Sequence, residues 1–241
     1  MENYKSSFEN FLKHTNEKKI LIKFLSNYIK KLKVKSLLDI GAGNGSMAIP
    51  LSKMVNSYLA IERNKSFIKK PKLELIEVVE EEFPKGPIKL DKRFDLVLCS
   101  YVIPHDRDFK KFITKAWRYV RPKGYLLIIT HRQSHDEWGE FCKKIKFNVY
   151  WDKPSFFPKL IRYLKIFGKV SIKDVVSFIE SKNLEEFFSA LTFVACQGEK
   201  NKEKSFYKNK SKIIKIINRE YNKKGFYKFP FKHYFILCKK D

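Results

Sequence analysis

The chemically suggestive residues gather between positions 39 and 62. Gly41, Gly43 and Gly45 alternate with Ala42 and Asn44 directly after the apolar run Ser36-Leu37-Leu38-Asp39-Ile40. A turn without Cβ atoms lets the backbone approach a ligand closely, and a helix starting behind it offers a positive end to an anionic or polar group. Asp39 stands two positions before the first glycine. Glu62 closes the next apolar run, Tyr58-Leu59-Ala60-Ile61, where a carboxylate can accept both hydroxyls of a ribose. Singly, Glu62 reads equally as a solvated strand-end acid and Asp39 as a cap. Together with the glycines they point to a cofactor that carries a nucleoside. Further on, Ser100, Tyr101 and His105 follow another apolar run, at the mouth where sheets of this kind bind ligands, so His105 is a candidate general base. His14, His131 and His135 lack metal-ligand spacing, and no metal is expected.

Such residues need strands and helices to place them. Residues 8–32 repeat apolar side chains at three- and four-residue intervals, the period of amphipathic helices, with a turn at His14-Thr15-Asn16-Glu17. Strands are expected at 36–40, 58–61, 73–79, 94–100 and 125–130, with helices after Met47, over Phe67 to Lys70 and from Phe109 to Val120. Pro122-Lys123-Gly124 reads as a turn into the fifth strand. Strands alternating with helices imply right-handed crossovers and a parallel sheet, and Leu126-Leu127-Ile128-Ile129 suits burial on both faces. Beyond residue 132 the pattern changes. The aromatic, proline-bearing stretch 150–168 reads as irregular and suited to a lid. Ser171 and Asp174 resemble a helix cap before Val175 to Ile179. A sixth strand is expected within Phe187 to Ala195, a mobile loop over Gln197 to Lys212, a helix at Ile213 to Ile217, and a final strand at His233 to Cys238. The expected class is α/β: a seven-stranded, mostly parallel, Rossmann-like sheet with helices on both faces and an antiparallel C-terminal strand.

Two nucleoside cofactors suit the glycine turn, a dinucleotide and S-adenosylmethionine. The Gly-x-Gly-x-Gly spacing lacks the Gly-x-Gly-x-x-Gly arrangement that packs a pyrophosphate, which favours the methyl donor. Leu38-Asp39-Ile40-Gly41-Ala42-Gly43-Asn44-Gly45, Ile61-Glu62, Phe94 to Ser100 and Arg121-Pro122-Lys123-Gly124-Tyr125-Leu126-Leu127-Ile128 resemble the successive motifs of class I S-adenosylmethionine methyltransferases, over about residues 30 to 131. The resemblance implies that Gly41 and Gly43 hold the methionine part of the donor and Glu62 its ribose. The adenine would lie near Glu80 or Glu81 and the sulfonium beside Ser100 and Tyr101.

A narrower likeness joins Tyr4 to Glu17, the region of Trp138 and the ending His233 to Leu237 to the histamine N-methyltransferase-like group. It implies that Glu17 holds a substrate amine, that Tyr4, Phe8 and Trp138 wall the pocket, and that Tyr101 orients the reacting ring. Phe231 stands where that group has a substrate-binding amide, Pro104 and His105 replace two tyrosines, and residues 150–168 have no counterpart. The implied reaction is direct in-line transfer of methyl to a small amine or imidazole nitrogen; Tyr101, from the likeness, and His105, from its place just past the fourth strand, are the expected catalytic residues. An RNA methyltransferase and a non-catalytic donor-binding partner are the alternatives.

Composition narrows the classes. A chain of 241 residues suits one domain over 1–241: a helical substrate segment 1–33, a donor-binding core 34–131, a lid or substrate insertion 132–185 and C-terminal strands 186–241. No apolar run is long enough to span a bilayer, and Met1 to Leu12 has neither a signal-peptide nor a transit-peptide character, so the cytoplasm is expected. Cys99, Cys142, Cys196 and Cys238 lie far apart and read as reduced thiols. The formal charge of +25 would suit a nucleic-acid partner. Lysines spread along the chain rather than arginine forks supply it, so a solvated basic surface and a small-molecule acceptor are the preferred reading.

Overall fold

The computed structural model of the protein describes residues 2–64, 76–86, 90–103, 109–132, 136–147, 155–196 and 199–241, with side chains from residue 8 onward. In chain order the elements are α1 (Glu2–His14), α2 (Glu17–Lys31), β1 (Ser36–Ile40), α3 (Ala48–Ser52), β2 (Ser57–Glu62), β3 (Ile76–Glu80), β4 (Phe94–Ser100), α4 (Phe109–Arg118), β5 (Val120–Thr130), α5 (Glu137–Ile145), α6 (Phe156–Leu164), β6 (Lys169–Ser181), α7 (Leu184–Cys196), α8 (Lys200–Lys208), α9 (Lys210–Ile216), a π turn (Ile217–Tyr221), β7 (Asn222–Lys223) and β8 (Phe226–Lys239). The sheet runs β3-β2-β1-β4-β5-β8-β6, with β7 paired to β8. Strands β1 to β5 pair in parallel, and β8 runs antiparallel to β5. This is the mostly parallel α/β sheet that the alternation of strands and helices implied.

The chain divides into two compact units. One comprises Leu21–Arg132, Pro154–Val175 and His233–Asp241, the other Met1–Ile20, Gln133–Lys153 and Val176–Lys232. These stretches interleave along the chain.

In the first unit the two-residue period of the strands sends side chains to alternate faces of the sheet. Leu38, Ile40, Leu59, Ile61, Val97, Cys99, Leu126 and Ile128 gather on one face with Phe112, Ile113 and Ala116 of α4 and Phe157, Leu160 and Leu164 of α6. Leu37, Tyr58, Ala60, Leu96, Leu98, Leu127 and Ile129 gather on the other with Leu21, Leu25 and Ile29 of α2 and Ala48 and Leu51 of α3. Each fully buried leucine or isoleucine contributes about 1.5–3 kcal/mol, so two covered faces explain why these strands read as continuous apolar runs. Asp95 fastens the entry to the sheet: its Oδ2 accepts the Lys35 and Ser36 N–H groups, both at 2.7 Å, and its Oδ1 pairs with Arg121. Strand β5 begins at Val120 rather than after a Pro122-Lys123-Gly124 turn. Gly124 is needed there, because a Cβ would stand 2.9 Å from the Arg121 carbonyl and 3.0 Å from that of Asp95.

The second unit has an aromatic core, in which Phe11, Trp138, Phe141, Phe187, Phe188, Phe193, Phe206, Phe229 and Phe231 are all buried. The turn expected at 14–17 is present. Asn16 exchanges hydrogen bonds with Phe178, N–H to carbonyl at 3.1 Å and Phe178 N–H to Asn16 Oδ1 at 2.8 Å, and Thr15 Oγ1 accepts the Glu17 N–H at 3.1 Å.

Several expectations for the C-terminal half are corrected. Residues 171–179 are strand β6, not a capped helix; from Ser177 to Ser181 burial alternates residue by residue, as in a half-covered strand. Residues 187–195 belong to helix α7, not a strand. An apolar run of that length has no distinguishing period, and Asn183 decides the matter by accepting the Glu185 and Glu186 N–H groups at 2.8 and 3.2 Å as an N-cap. The expected loop 197–212 contains α8 and α9, which bury Phe206 and Ile213. Residues 156–164 form α6, packed into the first unit's core instead of an irregular lid. The helix expected over Phe67 to Lys70 and the start of the third strand, Leu73 to Leu75, lie outside the described residues. Among the described residues, no helix is long and apolar enough to cross a membrane.

Candidate active site

The carboxyl ends of β1, β2 and β4, with the segment after β3, enclose a cavity of about 650 Å³ in the first unit. Open parallel sheets bind ligands at this edge. Gly41, Gly43 and Gly45 all take positive φ, +79°, +58° and +72°, which L side chains rarely adopt. The turn is tied to β2, because the Gly41 and Ala42 N–H groups donate to the Ile61 carbonyl at 2.8 and 3.2 Å. A Cβ on Gly41 would stand 3.0 Å from Val102 Cγ2, so the bare Cα keeps this wall of the cavity open.

Glu62 is joined to the glycine turn directly. Its Oε2 accepts the Gly43 N–H at 2.8 Å and its Oε1 the Asn64 N–H at 3.2 Å. A carboxylate offers about four acceptor positions, so both oxygens keep capacity for ligand hydroxyls. Glu81 lines the same cavity, and its N–H donates to the Glu62 carbonyl at 3.1 Å. Glu80 pairs in register with Glu62 but is exposed and does not line the cavity. Asp39 is buried in β1 away from the lining, where its Oδ2 accepts the Tyr58 hydroxyl at 2.5 Å. Burial, and then the Asp39 charge, push the Tyr58 phenol well above its usual pKa. Asp39 thus braces the strand beneath the turn.

At the end of β4, Ser100 is buried and lines the cavity, and its Oγ has no hydrogen-bond partner among the described residues. Tyr101 follows with φ +55°, a left-handed conformation that costs an aromatic residue about 1–3 kcal/mol. It is held there by its N–H, which donates to Ile129 at 2.9 Å, and by a ring stack on His131 with centroids 4.7 Å apart. The Tyr101 hydroxyl shares a 2.6 Å hydrogen bond with Nδ1 of His233, whose ring lies 4.9 Å from that of His131. Burial, and secondarily His131, push the His233 pKa well below 6.5, so this imidazole is neutral at pH 7.

The structure therefore brings Gly41, Gly43, Glu62, Glu81, Ser100 and Tyr101 together. His105 lies outside the described residues, as does the side chain of Tyr4. Phe8, Glu17 and Trp138 are in the second unit. Phe8 packs on Phe11 and Phe193, with centroids 6.5 and 5.6 Å apart. Trp138 is fully buried in the aromatic core, against Phe141, Phe229 and Phe231. Glu17 is half-buried in the first turn of α2, and burial raises its carboxyl above the usual glutamate range. Helix α3 begins only at Ala48 and has five residues, so the strong helix end expected behind the glycines is not there. The sequence pattern did not single out His131 and His233 as site residues. His131 directly follows β5 at the sheet edge that already pointed to Ser100, and that argument extends to it; His233, within the aromatic strand β8, carries no such signal.

The cavity suits a donor with a nucleoside at one end and an amino acid at the other. It falls in the range of about 300–1,000 Å³ typical of cofactor pockets. It carries an acidic side chain with acceptor capacity, bare glycine backbone and a buried hydroxyl without a hydrogen-bond partner among the described residues. Residues 11–193 match the family described as a methyltransferase domain. The chain belongs to that family. It is a class I, S-adenosylmethionine-dependent methyltransferase by family. Curated relatives include the ubiquinone biosynthesis O-methyltransferase of Rickettsia prowazekii (strain Madrid E), 29% identical over 130 residues that make up 49% of this chain and 48% of that protein. An uncharacterized methyltransferase of Bacillus subtilis (strain 168), YcgJ, is 26% identical over 42% of each chain. This methyltransferase spans about half the length of the curated relatives it matches. The crystal structure of YcgJ aligns with a TM-score of 0.59 at 17% identity, covering 90% of this chain and 97% of that one. The plantazolicin methyltransferase BpumL, in complex with a pentazolic desmethylPZN analog and SAH, aligns at 0.58 with 15% identity over 98% and 91% of the two chains. At such identities the likeness establishes the fold of this methyltransferase.

Proposed function

We propose that this methyltransferase transfers a methyl group from S-adenosylmethionine to a nitrogen of a small amine or imidazole. The donor supplies an electrophilic methyl on a sulfonium. Gly41 and Gly43 present backbone to its amino-acid end, Glu62 accepts its ribose hydroxyls, Glu81 faces its base, and Ser100 Oγ borders the sulfonium. Asp39 supports this set from below, and Glu80 ends the strand that carries Glu81.

The observation that carries the acceptor reading is the 2.6 Å bond between Tyr101 and a buried, neutral His233 at the margin of the donor cavity. The pair can accept a hydrogen bond from an N–H and so aim the nitrogen lone pair. Orientation supplies most of the rate gain when the nucleophile already has a free lone pair. An imidazole with a depressed pKa is a weak base, poorly matched to deprotonating an alcohol and sufficient for orienting a nitrogen. The likeness of residues 4–17 to the histamine N-methyltransferase-like group supports the same acceptor class and gives Glu17, Tyr4, Phe8 and Trp138 their acceptor roles. His105 is the further candidate base. Free, buried cysteines at 99, 142, 196 and 238 suit a reducing compartment such as the cytoplasm.

Methyl transfer to oxygen is the second reading, favoured by the names of the Rickettsia relatives. A tritiated methyl-donor assay across small amines, imidazoles, phenols and bulk tRNA, with the methylated atom identified in the product, tests both. N-methyl product is expected. O-methyl product overturns the nitrogen reading, label in tRNA overturns the small-molecule reading, and donor binding without turnover on any acceptor overturns both.

A further inference from the structure

The cavity wall formed by residues 81–86 supplies Glu81, Glu82, Phe83 and Lys85 to the lining, yet it belongs to neither a helix nor a strand. Its near end is fixed by the Glu81 N–H on Glu62, and it closes on itself where the Gly86 N–H donates to the Glu82 carbonyl at 2.8 Å. Its far end is fastened to α4. Lys115 bends back from that helix and donates from Nζ to the carbonyls of Pro84 at 2.8 Å and Gly86 at 2.6 Å. The same ammonium lies 5.2 Å from the centre of the Phe83 ring. That ring packs edge-on against Phe112 of α4, 4.9 Å away, and both rings line the cavity.

A lysine on a surface helix ordinarily extends into water. Here one charged group holds two carbonyls of the wall segment at once. We propose that Lys115 is the positioning residue of this wall, setting where Glu81 and Phe83 stand and thereby the affinity for the nucleoside half of the donor. It touches none of the reacting atoms. Without it the wall would have to be ordered by the donor itself, and that ordering would be subtracted from donor binding.

The inference rests on the donor occupying this cavity, and calorimetry of the wild-type protein with S-adenosylhomocysteine checks that separately. No uptake by the wild type would sink the donor reading as a whole. Lys115→Met keeps the stem over Phe83 and removes only the charged head. Losing two charge-assisted hydrogen bonds to a wall segment should raise the dissociation constant for S-adenosylhomocysteine by on the order of tenfold. At saturating donor, kcat and the acceptor KM should stay at their wild-type values. Adenosine should weaken as a competitive inhibitor by the same factor while homocysteine does not. Lys115→Arg should recover most of the loss. If Lys115→Met does not fold, Lys115→Gln replaces it and should show a smaller shift of the same kind. A Kd within twofold of wild type, or an equal loss for adenosine and homocysteine, overturns the proposal.

Discussion

Replacing Glu62 by Ala separates the two jobs of that carboxylate. In the free protein it accepts the Gly43 N–H at 2.8 Å and the Asn64 N–H at 3.2 Å, and only the first of these bonds is short. Leaving a partly buried N–H of the glycine turn without its charged acceptor costs about 1–2 kcal/mol. For a chain of this size each kcal/mol lowers Tm by about 2–4 °C, so Glu62→Ala should melt roughly 2–8 °C below wild type. Donor binding should suffer more. Two ribose hydroxyls would lose a charged acceptor, at about 1.5 kcal/mol or more each, which amounts to on the order of a hundredfold in Kd. Glu62→Gln keeps one oxygen for Gly43 and should lose about tenfold. Calorimetry with S-adenosylhomocysteine measures the affinities, scanning calorimetry the stability, and steady-state kinetics at saturating donor the acceptor KM, which should not move. If Glu62→Ala binds within threefold of wild type, the ribose is not held there. If Gln is as damaging as Ala, charge rather than acceptor geometry governs the site.

Gly41→Ala should lower both stability and donor affinity, because the new methyl meets Val102 at 3.0 Å in a backbone at φ +79°; unaltered donor binding would show that this wall yields. Glu17→Gln should raise the acceptor KM and leave the donor Kd unchanged, and an equal loss of both would refute its acceptor role. Asp136, the N-cap of α5, accepts the Gly139 N–H at 3.2 Å, and burial raises its pKa from 3.8 to about 6. A carboxyl raised in the folded state contributes stability that is complete below pH 3.8 and is lost as the pH rises through 6, by about 3 kcal/mol in all. Asp136→Asn keeps the capping oxygen without a charge to desolvate. Its Tm should match wild type near pH 3.5 and exceed it by several degrees above pH 6.5, whereas parallel curves would show that Asp136 is not responsible.

The glycine turn and the acid that ends the next strand were legible because they depend on short-range features. Glycines of positive φ, a buried apolar strand and an acid at the end of the next strand are adjacent in the chain, and any parallel sheet brings their carboxyl ends to one edge. Asp39 shows the limit: its position matched the motif, but whether a carboxylate points to a ligand or to Tyr58 is settled by packing across β1 and β2. In the C-terminal half, length and burial override period. Helix α7 is apolar on nearly every side, so it carried no helical stripe, and β6 offers Ser171 and Asp174 in the spacing of a cap although its backbone is extended. His233 was invisible for a different reason. It reaches Tyr101 from 132 positions away, and no local pattern encodes a contact of that separation.

Tyr101 concentrates the opposing demands of the site. A glycine or asparagine would take its left-handed backbone at less cost, so a tyrosine there calls for holding contacts of its own, beginning with the N–H bond to Ile129. Ring stacking on His131 and the hydroxyl bond to His233 add two side-chain contacts to that bond. Tyr101→Phe keeps the stack and removes the bond; His233→Phe removes the bond from the other side along with the imidazole. If the bond orients the acceptor, each should lower kcat by about 10- to 100-fold, below most of the roughly 10²–10⁴-fold range of groups that transfer a proton, with donor Kd unchanged. The double variant should be little worse than either single, a coupling of about 1.4–2.7 kcal/mol, because the second change removes a partner already lost. The wild type should also lose stability as pH falls below 6.5, since a histidine whose folded pKa is depressed must take up its proton against burial; His233→Phe should abolish that dependence. Additive losses in the double variant would mean that the two residues act separately and that the 2.6 Å contact does not serve the reaction.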